Sequence, residues 1–308
     1  MEHTPVLLHE SIDGLCIKPD GLYIDGTTGR AGHAFEIVKR LGTGQLIAID
    51  RDHEAINEAK KQLSGFEDHI TFIHGNYRDL TKLLNDAGIR AADGMLFDLG
   101  VSSPQLDDAR RGFSYMQDAR LDMRMDKRDE LTAYDIINSW QEDRLRKIFF
   151  EYGEERYSKS IASAIVRKRA YAPVSTTFEL NDIILSAIPA AARREPQHPS
   201  KRCYQALRIV VNDELGALAE MLGSAPSMLN RGGRLCVISF HSLEDRLVKQ
   251  TFASRAKGCI CPKDMPVCAC GIVPELKVIT RKPLIAGNEE RESNTRARSA
   301  KLRIAERI

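Results

Sequence analysis

The stretch that most restricts how this chain can fold is residues 23–33, Tyr-Ile-Asp-Gly-Thr-Thr-Gly-Arg-Ala-Gly-His. A short apolar strand ends at Asp25, small residues follow at Gly26, Gly29, Ala31 and Gly32, and a helical pattern begins at about residue 34. Strand, small-residue turn and helix in that order are how a doubly wound α/β sheet builds a nucleotide site at its first crossover. Positions without bulky side chains let the backbone approach a ligand, and the helix start offers free amides. The glycines recur every third residue, so this is not the dinucleotide Gly-x-Gly-x-x-Gly spacing.

The same alternation continues downstream. Residues 45–50, Gln-Leu-Ile-Ala-Ile-Asp, are an apolar run of strand length closing on Asp50. An acid at the tip of the second strand of such a fold accepts hydrogen bonds from ribose hydroxyls; the alternative is that Asp50 caps a helix over 54–63. Residues 70–77 read as a third strand whose exit places Tyr77 to stack on an adenine or simply to pack. A fourth strand, 93–98, ends at Asp98 and runs into Leu-Gly-Val-Ser-Ser-Pro-Gln. Four strands separated by helices predict parallel βαβ units with polar groups at their carboxyl ends. The loop 98–105 is then expected beside the Gly-rich turn.

From about residue 110 to 207 the patterns are helical, over 143–152, 156–171, 177–188 and from 204 onward, without a long apolar strand. Between 156 and 202 stand nine Lys/Arg against Glu179, Asp182 and Glu195. That local excess matters because the whole chain carries only +2; a nucleic-acid partner would have to meet a patch rather than a basic protein. The alternative is an ordinary solvated face. The α/β pattern resumes with a helix over 209–222, a strand over 233–240, a loop His241-Ser-Leu-Glu-Asp-Arg, and closing strands over 275–280 and 300–305. An Arg-rich linker, 288–298, reads as an exposed strap or an RNA contact. The expected division is 1–109 and 208–308 for the α/β domain, with 110–207 as a helical insertion. A helix within 4–15 is expected to cover the sheet edge or the cleft; the alternative is a plain packing helix.

An N-terminus without a basic lead into an apolar run, and no apolar run near 18 residues, argue against a leader or a membrane span. Seven cysteines, an odd number, point to reduced thiols in a cytoplasm.

The chain closely resembles the MraW family of bacterial 16S rRNA cytosine-N4 methyltransferases. The resemblance rests on His3-Thr-Pro-Val-Leu-Leu, residues 23–33, Leu46-Ile-Ala-Ile-Asp-Arg-Asp52, Asp98-Leu-Gly-Val-Ser-Ser-Pro-Gln-Leu-Asp107 and Arg111-Gly-Phe-Ser-Tyr-Met. It continues through Leu121-Asp-Met-Arg-Met-Asp126, Tyr152-Gly-Glu-Glu-Arg156, Ser239-Phe-His-Ser-Leu-Glu-Asp-Arg246 and residues 296–307. It implies a Rossmann-like class I methyltransferase with an about seven-stranded, mostly parallel sheet and an inserted helical recognition domain. The cofactor implied is S-adenosylmethionine, held by Ala31, Gly32, His33, Asp50, Tyr77, Asp98 and Gln105; the partner implied is the small ribosomal subunit. Ala31 stands where the family usually has glycine, and Thr28 where it usually has an aromatic. A homodimer is left open.

Methyl transfer to an amine is an in-line displacement that needs alignment more than a strong base. The loop Ser102-Ser-Pro-Gln105 resembles the Ser/Asp-Pro-Pro-aromatic loop of other amine methyltransferases. Ser102, Ser103 and Pro104 are therefore the candidates to hold the cytosine amine, with His241 and Glu244 as further lining; a structural hydrogen bond is the alternative for His241. A non-catalytic RNA-binding factor and a methyltransferase acting on DNA or protein are the competing readings. Cys259, Cys261, Cys268 and Cys270 form Cys-x-Cys-x₆-Cys-x-Cys, readable as a zinc site or as reduced loop thiols; the resemblance requires no metal.

Overall fold

The computed structural model describes residues 5–194, 197–258, 261 and 269–308. The chain divides into two compact units, residues 1–100 with 216–308 and residues 101–215.

The discontinuous unit begins with α1 (Leu8–Leu15), β1 (Leu22–Asp25), α2 (Gly32–Val38), β2 (Gln45–Asp50), α3 (His53–Gln62), β3 (Ile70–His74), α4 (Leu80–Asp86) and β4 (Ala92–Asp98). The other unit, taken below, holds α5 (Ser103–Asp107), α6 (Ala133–Ser139), α7 (Glu142–Glu151), α8 (Ser158–Arg169), α9 (Thr177–Ala187) and α10 (Ser200–Asn212). The sheet unit resumes within α11 (Glu214–Ser224) and closes with β5 (Leu229–Ser239), α12 (Ser242–Arg255), β6 (Leu276–Val278), α13 (Asn288–Ser293) and β7 (Lys301–Arg307). Its seven strands stand in the order β3-β2-β1-β4-β5-β7-β6. The first five are parallel; β7 runs antiparallel between β5 and β6.

Alternation along each strand sorts side chains onto two buried faces. Leu46, Ala48, Leu96, Cys236, Ile238, Leu302 and Ile304 point into one core, and Ile47, Ile49, Met95, Phe97, Leu235, Val237 and Ala305 into the other. Both faces are covered, which is why these strands read as unbroken apolar runs. Helix α1 lies in the first core through Ile12 and Leu15, beside α2, so it covers a sheet face.

The helical unit has its own core, drawn from Phe113 through Val211. Val101 and Leu106 pack on it, which draws the segment just after β4 into this unit; the composition change near 110 falls later because those residues are themselves polar-flanked. Capping boxes start two helices: Thr132 with Asp135 at α6, and Thr176 with Glu179 at α9, each satisfying amides that a helix start leaves open. The irregular stretch between α5 and α6 is tied down by side chains. Buried Arg111 donates to the carbonyls of Arg124 and Met125 at 3.1 and 2.9 Å, and Asn212 accepts from Met125 N–H at 2.7 Å while donating to Met123 O at 2.8 Å.

The single helix expected over 209–222 is two. Asp213 adopts left-handed φ 43° and closes α10, and α11 starts at the next residue. The linker 288–298 is mostly exposed but folded: it forms α13 and a 3₁₀ turn at 295–299 that buries Ala297 against the first core. No helix among the described residues is long and apolar enough to cross a membrane.

Candidate functional site

The carboxyl edge of the sheet is set by register. Asp25 pairs with Ala48 on one side and Leu96 on the other, so β2 and β4 each run two residues further, to Asp50 and Asp98. The small-residue turn sits between these overhangs and is stitched to both. Toward β4, Gly26 N–H donates to Leu96 O at 2.9 Å and Thr27 Oγ1 accepts from Asp98 N–H at 2.6 Å. Toward β2, Thr28 N–H donates to Ile49 O at 3.0 Å and Gly29 N–H to Asp50 Oδ2 at 2.8 Å. A β-carbon on Gly26 would come within 2.1 Å of Phe97, so only glycine lets the chain cross here. A β-carbon on Gly29, at φ 51°, would meet only Thr27 O, at 3.8 Å. Ala31 holds a left-handed φ of 61° just before α2, a conformation costing an L-residue about 1 kcal/mol or more.

Asp50 spends one oxygen on Gly29 and the other on Asp52 N–H at 2.8 Å. It does not cap α3; Asp52 does, accepting from Glu54 N–H at 3.0 Å. A carboxylate offers about four acceptor positions, so capacity remains for a hydroxyl donor. Burial raises Asp50 to about 6 against the pull of these amides. Asp25, fully buried, is raised to about 7 by burial, against the N–H of Thr27 and with the help of Asp50.

Asp98 is the extreme case. Burial, together with the charges of Asp25 and Glu244, raises it to about 8, with Arg296 alone opposing. Its Oδ1 is buried without a hydrogen-bonding partner among the described residues. Its Oδ2 lies 3.8 Å from His33 Nδ1, beyond hydrogen-bond reach. Burial lowers His33 to about 4, so the ring is neutral near pH 7. Its Nε2 faces the Val6 carbonyl at 3.1 Å; a carbonyl only accepts, so the proton sits on Nε2 and Nδ1 is a bare acceptor toward Asp98. The site thus holds a half-buried carboxyl whose buried Oδ1 has no hydrogen-bonding partner among the described residues. An acid of this kind suits a cationic ligand group, and S-adenosylmethionine, carrying an ammonium and a sulfonium, fits that requirement.

Tyr77 stands in the turn after β3 and meets Phe97 edge-on, centroids 5.8 Å apart; Phe97 is the ring that faces Gly26. Gly32 lies under Pro5, whose Cγ a β-carbon would approach to 2.2 Å. His241 caps α12: its Nδ1 accepts from Glu244 N–H at 3.4 Å, while Glu244 Oε2 accepts from the amides of Phe240 and His241 at 2.9 and 3.3 Å. The structural reading of His241 therefore has a definite partner. In the helical unit, Gln105 is buried and its Oε1 accepts from Ser102 N–H at 3.0 Å, closing the start of α5. The side chains of Ser103 and Pro104 lie outside the described residues, as do Cys259 and Cys268.

The sequence reading missed three contributors. Asp25 was legible as a strand end but not as a charge acting on Asp98. Thr27 was a small turn residue whose hydroxyl proves to hold Asp98. Arg296 was assigned to a strap, and only its folding onto this unit brings its charge to Asp98. The basic face of the helical unit also changes membership. Arg169 turns inward, its guanidinium donating to Ile137 O at 2.5 Å and Trp140 O at 2.6 Å, so it serves the fold. Arg156, Lys159, Arg167, Lys168, Arg193, Arg194 and Lys201 stay exposed.

The model of the MraW methylase family matches residues 1–308. Among curated relatives, "Ribosomal RNA small subunit methyltransferase H" of Clostridioides difficile is 53% identical over 99% of this chain and 99% of its own. The proteins of the same name from Halothermothrix orenii and Lachnospira eligens are each 52% identical over 100% of this chain, and over 99% and 98% of their own lengths.

Proposed function

We propose, because this chain belongs to the MraW methylase family, that it transfers a methyl group from S-adenosylmethionine to the exocyclic N4 amine of a cytidine in 16S rRNA. The observation that carries the reading is Asp98, a half-buried carboxyl whose buried Oδ1 has no hydrogen-bonding partner among the described residues, at the edge where Asp50 and the Gly-rich turn converge.

When bound, the cofactor supplies an activated methyl group on a positively charged sulfur. Asp98 answers positive charge, Asp50 accepts from hydroxyls with its remaining lone pairs, and Gly29, without a side chain, admits close backbone approach. Ala31, Gly32 and His33 fix the turn, and Tyr77 lends an aromatic wall. Gln105 completes the cofactor set, and Ser102, Ser103 and Pro104 accept hydrogen bonds from the amine, drawing its nitrogen out of conjugation with the ring. His241 keeps α12 in place. No group here is assigned as general base: the displacement is driven by alignment.

The target cytidine must leave its stack, which costs a few kcal/mol. Exposed Arg167, Lys168, Arg194 and Lys201 of the helical unit offset that cost through phosphate contacts. The partner is the small ribosomal subunit, and the setting is the cytoplasm. The test is transfer of labelled methyl from S-adenosylmethionine to small subunits purified from a strain lacking the enzyme, followed by nucleoside analysis. Label in N4-methylcytidine is expected. Binding of subunits without incorporation would instead favour an RNA-binding factor on an inherited fold.

A further inference from the structure

A groove of about 340 Å³ opens between α12 and the β6–β7 end of the sheet unit, far along the sheet from the Gly-rich turn. Its wall is apolar, made by Ala253 and Ala256 of α12 and by Val278, over the buried ring of Phe252. Its rim is cationic, with Lys249 on one side and Arg281 on the other. None of the described lining residues is acidic. We infer that this groove is a second RNA contact, seating one unstacked nucleotide of a single-stranded segment, with its base on the apolar wall and its phosphates between Lys249 and Arg281. The inference rests on the rRNA reading above and adds to it where the strand is gripped away from the methyl-transfer edge.

Three features support this occupant. First, the rim charges are uncommitted: Lys249 and Arg281 are exposed and have no ion-pair partner among the described residues. Second, the nearby acids are already neutralised. Asp245 takes Arg303 at 2.6 Å and Lys301 at 3.3 Å, Glu306 takes Arg234 at 2.7 Å, and Glu275 takes Arg255. A polyanion approaching the rim meets net positive charge. Third, the backbone leading into Arg281 is fixed: Ile279 and Thr280 N–H both donate to Ile304 O, at 3.0 and 3.2 Å, and Thr280 Oγ1 accepts from Ile304 N–H at 2.8 Å. The volume sits at the low end for ligand clefts, which suits one base rather than a protein segment. A cationic groove that tracks the backbone is what binds single strands with little sequence preference, and here the base packs on aliphatic carbon rather than stacking on a ring. Helix α12 starts at His241 on the carboxyl edge, and Lys249 lies eight residues on, about 12 Å along the axis, so one strand can engage both places.

The experiment uses the full chain and a short oligocytidylate carrying one photoactivatable thiouridine. For Lys249→Glu with Arg281→Glu, affinity at low salt falls about tenfold, and the log–log salt dependence becomes shallower by about 1.4, or about 0.7 for each lost phosphate contact. Lys249→Arg with Arg281→Lys retains the affinity, as does Lys61→Glu on α3. Crosslinks map to 249–256 or 278–281. An unchanged affinity and salt slope in the charge-reversed protein, or crosslinks confined to other segments, overturns the groove. If that variant still behaves as wild type while labelled methyl enters 16S rRNA, the groove fails and the methyltransferase reading stands. If wild type binds the oligomer through the groove yet no label enters rRNA, the groove stands and that reading fails.

Discussion

At the carboxyl edge of the sheet, Asp25 is buried and Asp50 and Asp98 half-buried, the first two bonded to backbone amides and Asp98 Oδ1 to nothing among the described residues, and all three are pushed above the ordinary carboxylate range. In the helical unit the acids are handled the other way. Asp122 is held below its usual value although burial opposes it, because Arg124 closes a two-pronged contact at 2.8 Å on each oxygen. Asp135 and Glu179 are spent on helix starts, and Arg208 grips Glu214 at 2.7 and 2.9 Å. The helical unit uses charge to hold itself together, leaving cations at its surface. The sheet edge keeps its charges costly, as a site must if a ligand is to supply what is missing.

The largest effect that would test this contrast is at Asp98. Asp98→Asn should lower methyl transfer about 10²–10³-fold, the usual loss on removing one preorganised electrostatic partner. The pH dependence has a definite sign. Folded Asp98 titrates near 8, against 3.8 for the free group, so the folded state binds more protons over that interval and the ionised acid costs stability. Stability should fall as pH rises from about 4 to 8. Asp98→Asn should therefore melt higher than wild type at pH 8, a gap that closes toward pH 4. A cationic ligand favours the ionised form, so S-adenosylmethionine affinity should rise with pH up to about 8 in wild type and lose that dependence in Asp98→Asn. Calorimetric titration across that range would decide it; a flat wild-type profile would remove Asp98 from the site.

Next comes the turn. Gly26→Ala forces a methyl to within 2.1 Å of Phe97 Cε1, and overpacking of this kind costs about 3 kcal/mol. Denaturant unfolding should show that loss together with weaker cofactor binding, since Phe97 also backs Tyr77.

The third prediction separates fold from surface within the helical unit. Arg169→Ala should cost about 2 kcal/mol by stranding the carbonyls of Ile137 and Trp140, with little change in the salt dependence of RNA binding. Arg167→Ala with Lys168→Ala should do the reverse, weakening RNA binding most at low salt while melting unchanged. Equal effects of the two on both readouts would erase the distinction drawn here. The smallest expected effect is Ala31→Gly: relief of the left-handed strain is partly offset by a freer unfolded chain, for a net gain of no more than about 1 kcal/mol.

Much of the sheet was legible because its strands are buried on both faces and close on acids: 45–50 was read to the residue, and the others to within a few. The seven-strand count and the mostly parallel sense follow from that pattern. What stayed hidden depends on direction rather than period. The break at Asp213 lies inside a continuous helical pattern and turns on one residue's φ. That Arg169 faces inward while Arg167 and Lys168 face out cannot be told from a run of three cations. Arg296 reaches Asp98 from nearly two hundred residues away in sequence, a proximity that no local spacing encodes. Ala31 was visible as a departure from the family glycine, but its cost became concrete only with its φ.

The placement of β7 has a consequence for synthesis. Residues 301–307 do not finish the sheet at its margin; they slot between β5 and β6. As the chain emerges, residues 101–215 carry all their own core before that strand exists, whereas β6 has no neighbour to pair with until residue 301 leaves the ribosome. Five strands of the sheet can therefore pair among themselves during synthesis, and β6 is left to wait for β7, the strand that joins it to the rest.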